Sequence, residues 1–290
     1  MKTLTVYNSK GGVAKSTLAA LLGEWLVSRG HRVVIVDLDR QGSQSEIFRL
    51  LDPDGLASEA LHLVFKRKVS ALAALTPVAA ERLPEGAAAR GGGLWVLQGG
   101  PQSVEAIDEV AANPVRYRLV NTADIVRGPL RELAGWQDEA GRGFDYAILD
   151  MGPSDQVAAL AGLVATDWLV IPTTTELLSL ARIGPVLEEA EVAAQENPAL
   201  RVLGIVTVMN TRYFGGLVKS QVTQVGEQYL RETYDGLLLR DEKGEPVDIR
   251  YHEAWKKAMW AGGSLLDGLH GPALADAQRF LTTVGRVLEG

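Results

Sequence analysis

The sequence contains no cysteine among its 290 residues. Disulfide bonds, thiolate zinc sites and iron–sulfur clusters held by cysteine are therefore excluded for this chain. No run of apolar residues approaches the roughly 20 that an α-helix needs to cross a bilayer. The first 20 residues begin a strand-like pattern and lack the apolar core of a signal peptide. These absences predict a protein of the cytoplasm.

A net positive charge is also absent, since the formal net charge is −7 and the pI is near 5.3. This balance argues against a chain that coats polyanions with its whole surface, although a local basic patch is compatible with it. With 47% hydrophobic and 22% charged residues, the composition is that of a soluble globular protein. We expect one domain over residues 1–290.

Short apolar runs alternate with longer helical segments along the chain. The runs of strand length lie at residues 3–7, 32–39, 94–98, 146–151, 168–173 and 201–210. Several are unbroken, which is typical of strands buried on both faces. The helical segments lie at residues 17–30, 155–166 and 181–196. This alternation predicts an α/β fold with a doubly wound, mainly parallel sheet flanked by helices.

Two regions depart from the alternation. Residues 50–93 are rich in Ala, Pro and Gly and predict a helical excursion with a loop. Residues 237–251 predict a hairpin that turns at Lys243 and Gly244. A helical region is expected to follow over about residues 252–290.

The stretch SKGGVAKST, residues 9–17, joins the first predicted strand to the first predicted helix. In the standard phosphate loop, G-x-x-x-x-G-K-[ST], backbone N–H groups and a helix N-terminus hold the phosphates, the lysine contacts the β and γ oxygens, and the hydroxyl binds magnesium. With Lys15 and Ser16 at the K-[ST] positions, Ser9 and Ala14 occupy both glycine positions. The loop instead has the pattern K-G-G-x-x-K-[ST], with a second lysine, Lys10, at its head.

With this two-lysine loop the sequence resembles the deviant Walker A ATPases, the ParA/MinD family, and within it the ParA/Soj branch that partitions DNA. The resemblance implies a P-loop NTPase fold of the deviant Walker A type, with ATP or ADP and Mg²⁺ as cofactors. It implies that Lys15 contacts the chain's own nucleotide, whereas Lys10 contacts the nucleotide of a partner subunit, so that ATP binding and dimerisation become one event. The implied nucleotide-binding residues are Lys10, Gly11, Gly12, Val13, Ala14, Lys15, Ser16 and Thr17.

Two further segments match this family in the expected order. VDLDRQGSQS, residues 36–45, resembles the family's D-x-D-x-Q-G segment, in which Asp39 would position or activate the attacking water and Asp37 would lie near the magnesium. FDYAILDMGPSD, residues 144–155, resembles the Walker B strand, in which Asp150 would hold the magnesium. The implied catalytic residues are therefore Lys10, Lys15 and Asp39, and the implied metal site is Ser16, Asp37 and Asp150.

Two weaker matches extend the resemblance. Residues 169–183 resemble a segment in which a strand ends at Pro172 and a Glu-x-x-Ser-Leu helix start follows. Residues 206–213 end a predicted strand at Asn210, where relatives use an asparagine to bind the adenine edge. A turn or capping asparagine is the alternative interpretation of this residue.

Three residues differ from the family's usual pattern. Ala14 replaces a glycine, and Arg40 and Gly152 each replace a proline. These departures are expected to slow hydrolysis, although every group that would contact phosphate, magnesium or water is present.

The resemblance also implies a surface partner. Partition ATPases of this family bind DNA without sequence preference once ATP has dimerised them, and a ParB-like adaptor then triggers hydrolysis. Arg250 and Lys257 would share one face if their stretch is helical, although a solvated helix face is the alternative. The basic residues predicted to contact DNA are Lys219, Arg250, Lys256 and Lys257. The expected function is plasmid or chromosome segregation, at a cytoplasmic, nucleoid-associated location.

Other functions of the same fold stay open. A MinD-like protein binds membrane through a basic amphipathic C-terminal helix, but residues 276–290 carry only Arg279 and Arg286 beside their apolar stripe, so a membrane partner is not expected. An organelle-positioning ATPase would use the same DNA surface with a different adaptor. A metabolic or assembly ATPase is a further alternative, from which the missing cysteines exclude the iron–sulfur members.

Overall fold

The computed structural model describes residues 1–51, 58, 60–119, 121–153, 156–210, 212–213 and 218–289. Its strands are β1 (Lys2–Val6), β2 (Arg32–Asp37), β3 (Leu75–Pro77), β4 (Gly93–Leu97), β5 (Tyr146–Asp150), β6 (Trp168–Thr173), β7 (Arg201–Asn210), β8 (Arg212–Tyr213), β9 (Val218–Lys219) and β10 (Asp248–Arg250). Eight of them form one sheet in the order β10-β7-β6-β1-β5-β2-β4-β3, and β8 pairs with β9 separately. Within the described residues, every neighbouring pair of the large sheet is parallel except β3 and β4.

Helices cover both faces of this sheet. They are α1 (Lys15–Ser28), α2 (Ser43–Ile47), α3 (Leu61–Phe65), α4 (Pro101–Ala112), α5 (Asp124–Gly135), α6 (Gln156–Val164), α7 (Leu177–Leu180), α8 (Ile183–Glu196), α9 (Gln221–Tyr234), α10 (Glu253–Ala261), α11 (Leu265–Gly268) and α12 (Gly271–Glu289). One apolar cluster packs α1, α11 and α12 on the sheet, and a second packs α4, α5, α6 and α8. Because both faces are covered, β2 is buried at every position. The predicted α/β fold with a doubly wound, mainly parallel sheet is confirmed.

The predicted hairpin at residues 237–251 forms around its turn, out to Leu239 and Val247, whose N–H donates to the carbonyl of Leu239 at 2.7 Å. Asp241 N–H donates to the carbonyl of Glu245 at 3.0 Å, and Arg240 pairs antiparallel with Pro246. Beyond the turn, β10 pairs in parallel with β7 instead of folding back on its own hairpin. The expectation that Arg250 and Lys257 share one helical face is wrong, because Arg250 ends β10 and α10 begins at Glu253.

The C-terminal helical region packs against the sheet. In α12 the apolar residues Phe280, Leu281, Val284 and Leu288 are buried, whereas Val287 is exposed. Among the residues described, no helix has both the length and the apolar composition needed to span a bilayer. Most side chains of this apolar stripe are therefore buried in the protein's own core.

A buried carboxylate, Glu24, ties α1 to α11. It is 1% exposed and accepts hydrogen bonds from Ser264 Oγ at 2.7 Å, Leu265 N at 2.9 Å and Leu266 N at 2.8 Å. Burial raises the pKa of Glu24 to about 7, against the lowering effect of these hydrogen bonds. The helix that begins at the glycine-rich loop is thus connected to the C-terminal region by a titratable group.

The carboxyl ends of β1, β2 and β5 meet at one edge of the sheet. In the strand register, Asp150 at the end of β5 lies beside Val6 of β1 on one side and Asp37 of β2 on the other. The glycine-rich loop leaves β1 at this edge and leads directly into α1. In open α/β sheets this edge is where ligands bind.

Candidate functional site

The glycine-rich loop curls over the N-terminus of α1. Asn8 supports it from below, since its Nδ2 donates to the carbonyl of Pro172 at 2.8 Å and its Oδ1 accepts from Lys10 N at 2.9 Å. Gly12 has φ 76° and Ala14 has φ 57°, both in the left-handed region. Glycine adopts this conformation without steric cost, which explains Gly12. The turn therefore forms despite an alanine at the second position.

Lys15 is the first residue of α1, and its side chain turns back into the loop. It is 5% exposed, and its Nζ donates to the carbonyl of Lys10 at 2.8 Å. Burial lowers the pKa of Lys15, while the nearby carboxylates of Asp39 and Asp150 act in the opposite direction. The loop thus encloses a cation at a helix N-terminus, an arrangement that favours an anion.

Two fully buried carboxylates lie side by side below the loop. Asp37 accepts hydrogen bonds from Asp39 N at 3.1 Å and Gln44 N at 2.9 Å. Burial raises the pKa of Asp37 well above its usual range, and the charge of Asp150 adds to this effect. Burial also raises the pKa of Asp150 to about 6, although hydrogen bonds from Gln44 and Ser16 lower it. Burial thus disfavours the charged form of both carboxylates more than their hydrogen bonds favour it.

One oxygen of Asp150 has no hydrogen-bond partner in the part of the chain that the structure describes. Asp150 Oδ2 accepts from Gln44 Nε2 at 2.7 Å, whereas the buried Oδ1 has no hydrogen bond from any described residue. The Ser16 hydroxyl interacts with the same carboxylate. Carboxylate and hydroxyl oxygens are the hard ligands that Mg²⁺ takes together with water. The residues present therefore fit a divalent cation between Ser16 and Asp150.

Gln44 connects these groups, and the sequence analysis did not single it out. Its Nε2 donates to the carbonyl of Ser16 at 3.0 Å as well as to Asp150, and its backbone N–H donates to Asp37. The residue lies within the segment 36–45 that resembles the family. Its position in the first turn of the helix that follows Asp37 was the feature of the sequence that could have identified it.

Asp39 and Gly152 lie in direct contact. Asp39 is 7% exposed, and its Oδ1 accepts from Gln41 N at 2.9 Å. A Cβ atom on Gly152 would lie 2.6 Å from both Cγ and Oδ1 of Asp39, closer than real Cβ contacts allow. The glycine at residue 152, where the family usually has a proline, therefore has a steric reason. The Asp39 carboxylate, in the position that it takes here, leaves no room for a side chain at residue 152.

Lys10 points away from Lys15. Its Nζ lies 3.6 Å from Glu176 Oε2, and its side chain is 27% exposed. Glu176 immediately precedes α7 and is 68% exposed, so this ion pair lies at the protein surface. One lysine of the loop is thus directed inward and the other outward.

A cleft of about 480 Å³ opens in front of the loop. Residues 11–17 and Asp39 line it, together with Met259 and Trp260 at the end of α10. Its volume lies within the range of about 300–1,000 Å³ that is common for small-ligand sites.

Asn210 lies away from this cleft. It is 2% exposed, its Nδ2 donates to Asp248 Oδ1 at 2.6 Å, and its Oδ1 accepts from Thr175 Oγ1 at 3.2 Å. It is not among the described residues that line the cleft. The structure thus uses its amide inside the protein, and its adenine contact stays a prediction.

Two of the predicted DNA-contacting residues are paired with carboxylates of the chain. Arg250 Nε donates to Asp276 Oδ2 at 2.8 Å, and Asp276 is 6% exposed. Lys219 Nζ donates to Glu227. A DNA phosphate would have to compete with these carboxylates for either cation.

The other two predicted DNA-contacting residues lie on the exposed side of α10. Lys256 Nζ lies 5.5 Å from the ring centre of Tyr251, and Lys257 is exposed. These two lysines are the more accessible half of the predicted set.

Comparison with known proteins gives a consistent result. The sequence profile of the CobQ/CobB/MinD/ParA nucleotide binding domain matches residues 4–288. The chromosome-partitioning ATPase Soj of Thermus thermophilus is 30% identical over 210 residues, which cover 72% of this chain and 70% of Soj. Apo McdA of Cyanothece superposes with a TM-score of 0.76 at 21% identity, over 98% of this chain and 100% of McdA. Cobyrinic acid a,c-diamide synthase of Mycobacterium smegmatis, with an ATP analogue and magnesium, superposes with a TM-score of 0.70 at 23% identity, over 100% and 96% of the two chains.

Proposed function

Because the chain belongs to the CobQ/CobB/MinD/ParA nucleotide-binding family, we propose that it is an ATP hydrolase of the ParA/Soj partition branch. The whole chain acts as one ATPase domain that uses ATP and Mg²⁺. It dimerises when ATP is bound, binds DNA without sequence preference, and drives plasmid or chromosome segregation in the cytoplasm, on the nucleoid. A ParB-like adaptor stimulates hydrolysis. The observation that carries this proposal is the pair of oppositely directed lysines, Lys15 inward and Lys10 outward.

The loop and the start of α1 bind the phosphates. Lys15 lies in the loop with Gly11 and Gly12 in front of it, where a Cβ atom would meet nothing within 4 Å. This open space, with backbone N–H groups and an ammonium around it, suits the β- and γ-phosphates. Lys15 then exchanges the carbonyl of Lys10 for phosphate oxygens.

Ser16 and Asp150 hold the magnesium ion, and Asp37 lies beside them. A magnesium ion held by these residues would supply positive charge against the negative charge that develops during phosphoryl transfer. Gln44 orients the Asp150 carboxylate, because its amide donates to Oδ2 and leaves Oδ1 available. Phosphoryl transfer depends mainly on positioning and charge neutralisation, which these residues supply.

Asp39 positions the attacking water. Its carboxylate lies at the mouth of the cleft, oriented by Gln41 N and closely packed against Gly152. A water molecule that donates a hydrogen bond to this carboxylate would be oriented toward the γ-phosphate. The carboxylate would then accept the proton of that water.

Lys10 makes the dimer dependent on ATP. In the single chain it pairs with the exposed Glu176, and exposed ion pairs of this kind contribute about 0–1 kcal/mol. Exchanging this pair for the triphosphate of a partner subunit is therefore favourable, because a charge-assisted contact to phosphate is stronger.

DNA binding is assigned to the basic surface at α10. Lys256 and Lys257 are accessible for phosphate contacts, and Arg250 and Lys219 join them if DNA displaces their carboxylate partners. Binding through such contacts releases counterions and falls steeply as salt increases. No sequence preference is expected, since phosphate contacts carry no base information.

Fluorescence anisotropy of a random-sequence DNA duplex tests the proposal. We expect binding with ATP, strongest for Asp39→Ala because the ATP state persists, and none with ADP. Lys256→Ala/Lys257→Ala should weaken binding and reduce its salt dependence. Arg67→Ala/Lys68→Ala removes the same charge from exposed residues away from α10 and should leave binding unchanged.

An absence of DNA binding with every nucleotide would contradict the partition function. If ATP is still hydrolysed in that case, the function moves to a MinD-like or organelle-positioning ATPase, or to a metabolic or assembly ATPase of the same fold. Co-sedimentation with liposomes then separates the membrane alternative from the others.

A further inference from the structure

Asn210 is hydrogen-bonded to other residues of the protein and does not line the cleft in front of the loop. Both atoms of its side-chain amide are engaged, with Asp248 and Thr175, and the residue is 2% exposed. A nucleotide whose phosphates lie in the loop extends into the cleft in front of it. The apolar residues that line this cleft are therefore candidates for contact with the base.

Trp260 lies at this position and is unusually exposed. All six tryptophans are among the described residues, and Trp260 alone is exposed, at 82%. Met259 beside it is 40% exposed, and both line the cleft that residues 11–17 also line. What sets Trp260 and Met259 apart from the other exposed apolar side chains is that they line the same cleft as the loop, and aromatic side chains are common in ligand sites.

The backbone that carries Trp260 is held in place from two sides. Arg49 Nη2 donates to the carbonyl of Trp260 at 2.9 Å, and Arg82 Nη1 donates to the carbonyl of Gly262 at 2.6 Å. Gly262 ends α10 with φ 75°, in the left-handed region where glycine is favoured. The indole is thus presented to the cleft by an anchored helix end.

We propose that Trp260, with Met259 beside it, forms the stacking surface for the base of the nucleotide whose phosphates occupy the loop. The proposal rests on the nucleotide-binding function proposed above and adds the residue that distinguishes a nucleotide from a bare phosphate chain. Stacking on an indole uses the face of the base and not its hydrogen-bonding edge. It therefore favours the larger purine ring without a hydrogen-bonding asparagine.

Equilibrium binding of ADP and of inorganic pyrophosphate, both with Mg²⁺, tests this assignment. ADP is chosen because it carries the base but is not expected to dimerise the protein. Trp260→Ala should weaken ADP binding about tenfold and leave pyrophosphate binding unchanged. Trp260→Phe should retain most of the ADP affinity. Val115→Ala, which truncates an apolar side chain that is 86% exposed and does not line the cleft, should change neither.

Quenching of tryptophan fluorescence by acrylamide provides a second readout. ADP should protect the exposed tryptophan from the quencher, pyrophosphate should not, and Trp260→Phe should abolish the protection. Unchanged ADP affinity in Trp260→Ala would overturn the proposal, and so would equal loss of ADP and pyrophosphate affinity. If the unsubstituted protein binds neither compound, the proposed nucleotide-binding function fails as well, so the two failures are distinguishable.

Discussion

Replacing Gly152 by alanine tests whether the position of Asp39 controls hydrolysis. The new Cβ would lie 2.6 Å from Cγ and Oδ1 of Asp39, whereas ordinary contacts begin at 3.4 Å. The carboxylate or the segment at residue 152 must therefore move by about 0.8 Å. Such a shift also disturbs the hydrogen bond from Gln41 N, which is 2.9 Å long in this structure.

A displacement of about 1 Å in a positioning group can reduce a rate by about 100-fold. We therefore expect Gly152→Ala to lose turnover on this scale, measured as phosphate release in a single turnover. ATP affinity should change little, because Lys15 Nζ donates to the carbonyl of Lys10 and the carbonyl of Ser16 accepts from Gln44, and neither hydrogen bond involves residue 152. Gly236→Ala is the matched control, since a Cβ there meets nothing within 4 Å.

Turnover at the parent rate in Gly152→Ala would refute the reasoning. A double-substitution cycle sharpens the test, because Asp39→Ala removes the carboxylate that the new Cβ would strike. In that background Gly152→Ala should cause no further loss. A further loss of the same size would show that residue 152 acts through some other group.

Three further substitutions follow from the structure. Asp39→Ala should retain ATP-dependent dimerisation in sedimentation while losing phosphate release, and hydrolysis at the parent rate would contradict its role. Lys10→Ala should weaken the dimer more than it weakens ATP binding to the monomer, and equal loss of both would argue against a contact across the interface. Glu24→Gln should flatten the pH dependence of the free energy of unfolding. Folding raises the pKa of Glu24 from 4.5 to about 7, so the stabilising contribution of its protonated form is complete below pH 4.5 and is lost as pH rises through 7. The total loss corresponds to about 3 kcal/mol. Urea unfolding of both proteins from pH 4 to 8 measures the difference, and parallel curves would contradict it.

The central sheet could be predicted because its strands are encoded locally. The run RVVIVD of β2 is apolar over nearly its whole length, and so is YAILD of β5, which is the pattern of strands covered on both faces. The short strand β3 has no such pattern, and it forms because it pairs antiparallel with β4 at the edge of the sheet. The position of β10 depends likewise on its pairing with β7, some 40 residues earlier in the chain, so the predicted hairpin is confirmed at its turn but does not extend through β10.

The site could be predicted only where all the residues that act together belong to one continuous motif. The loop from Lys10 to Thr17 is continuous, and its two lysines are recognisable from their spacing alone. Contacts between distant segments carry no such pattern: the packing of Gly152 on Asp39 and the hydrogen bond from Gln44 to Asp150 depend on the order of parallel strands. Residues far apart in sequence come together only at the carboxyl edge of the folded sheet.

The three departures from the family pattern have different physical consequences. Ala14 adopts φ 57°, which costs about 1 kcal/mol relative to glycine. While the loop keeps this conformation, the cost is the same before and during hydrolysis, so it lowers stability and not the rate. Arg40 is an exposed residue whose Nη1 lies 4.0 Å from Glu105 Oε1, and it replaces no group that contacts the reaction. Of the three positions, residue 152 is the one where an added Cβ would press on the Asp39 carboxylate, so we expect the contact between Gly152 and Asp39 to have the largest effect on hydrolysis.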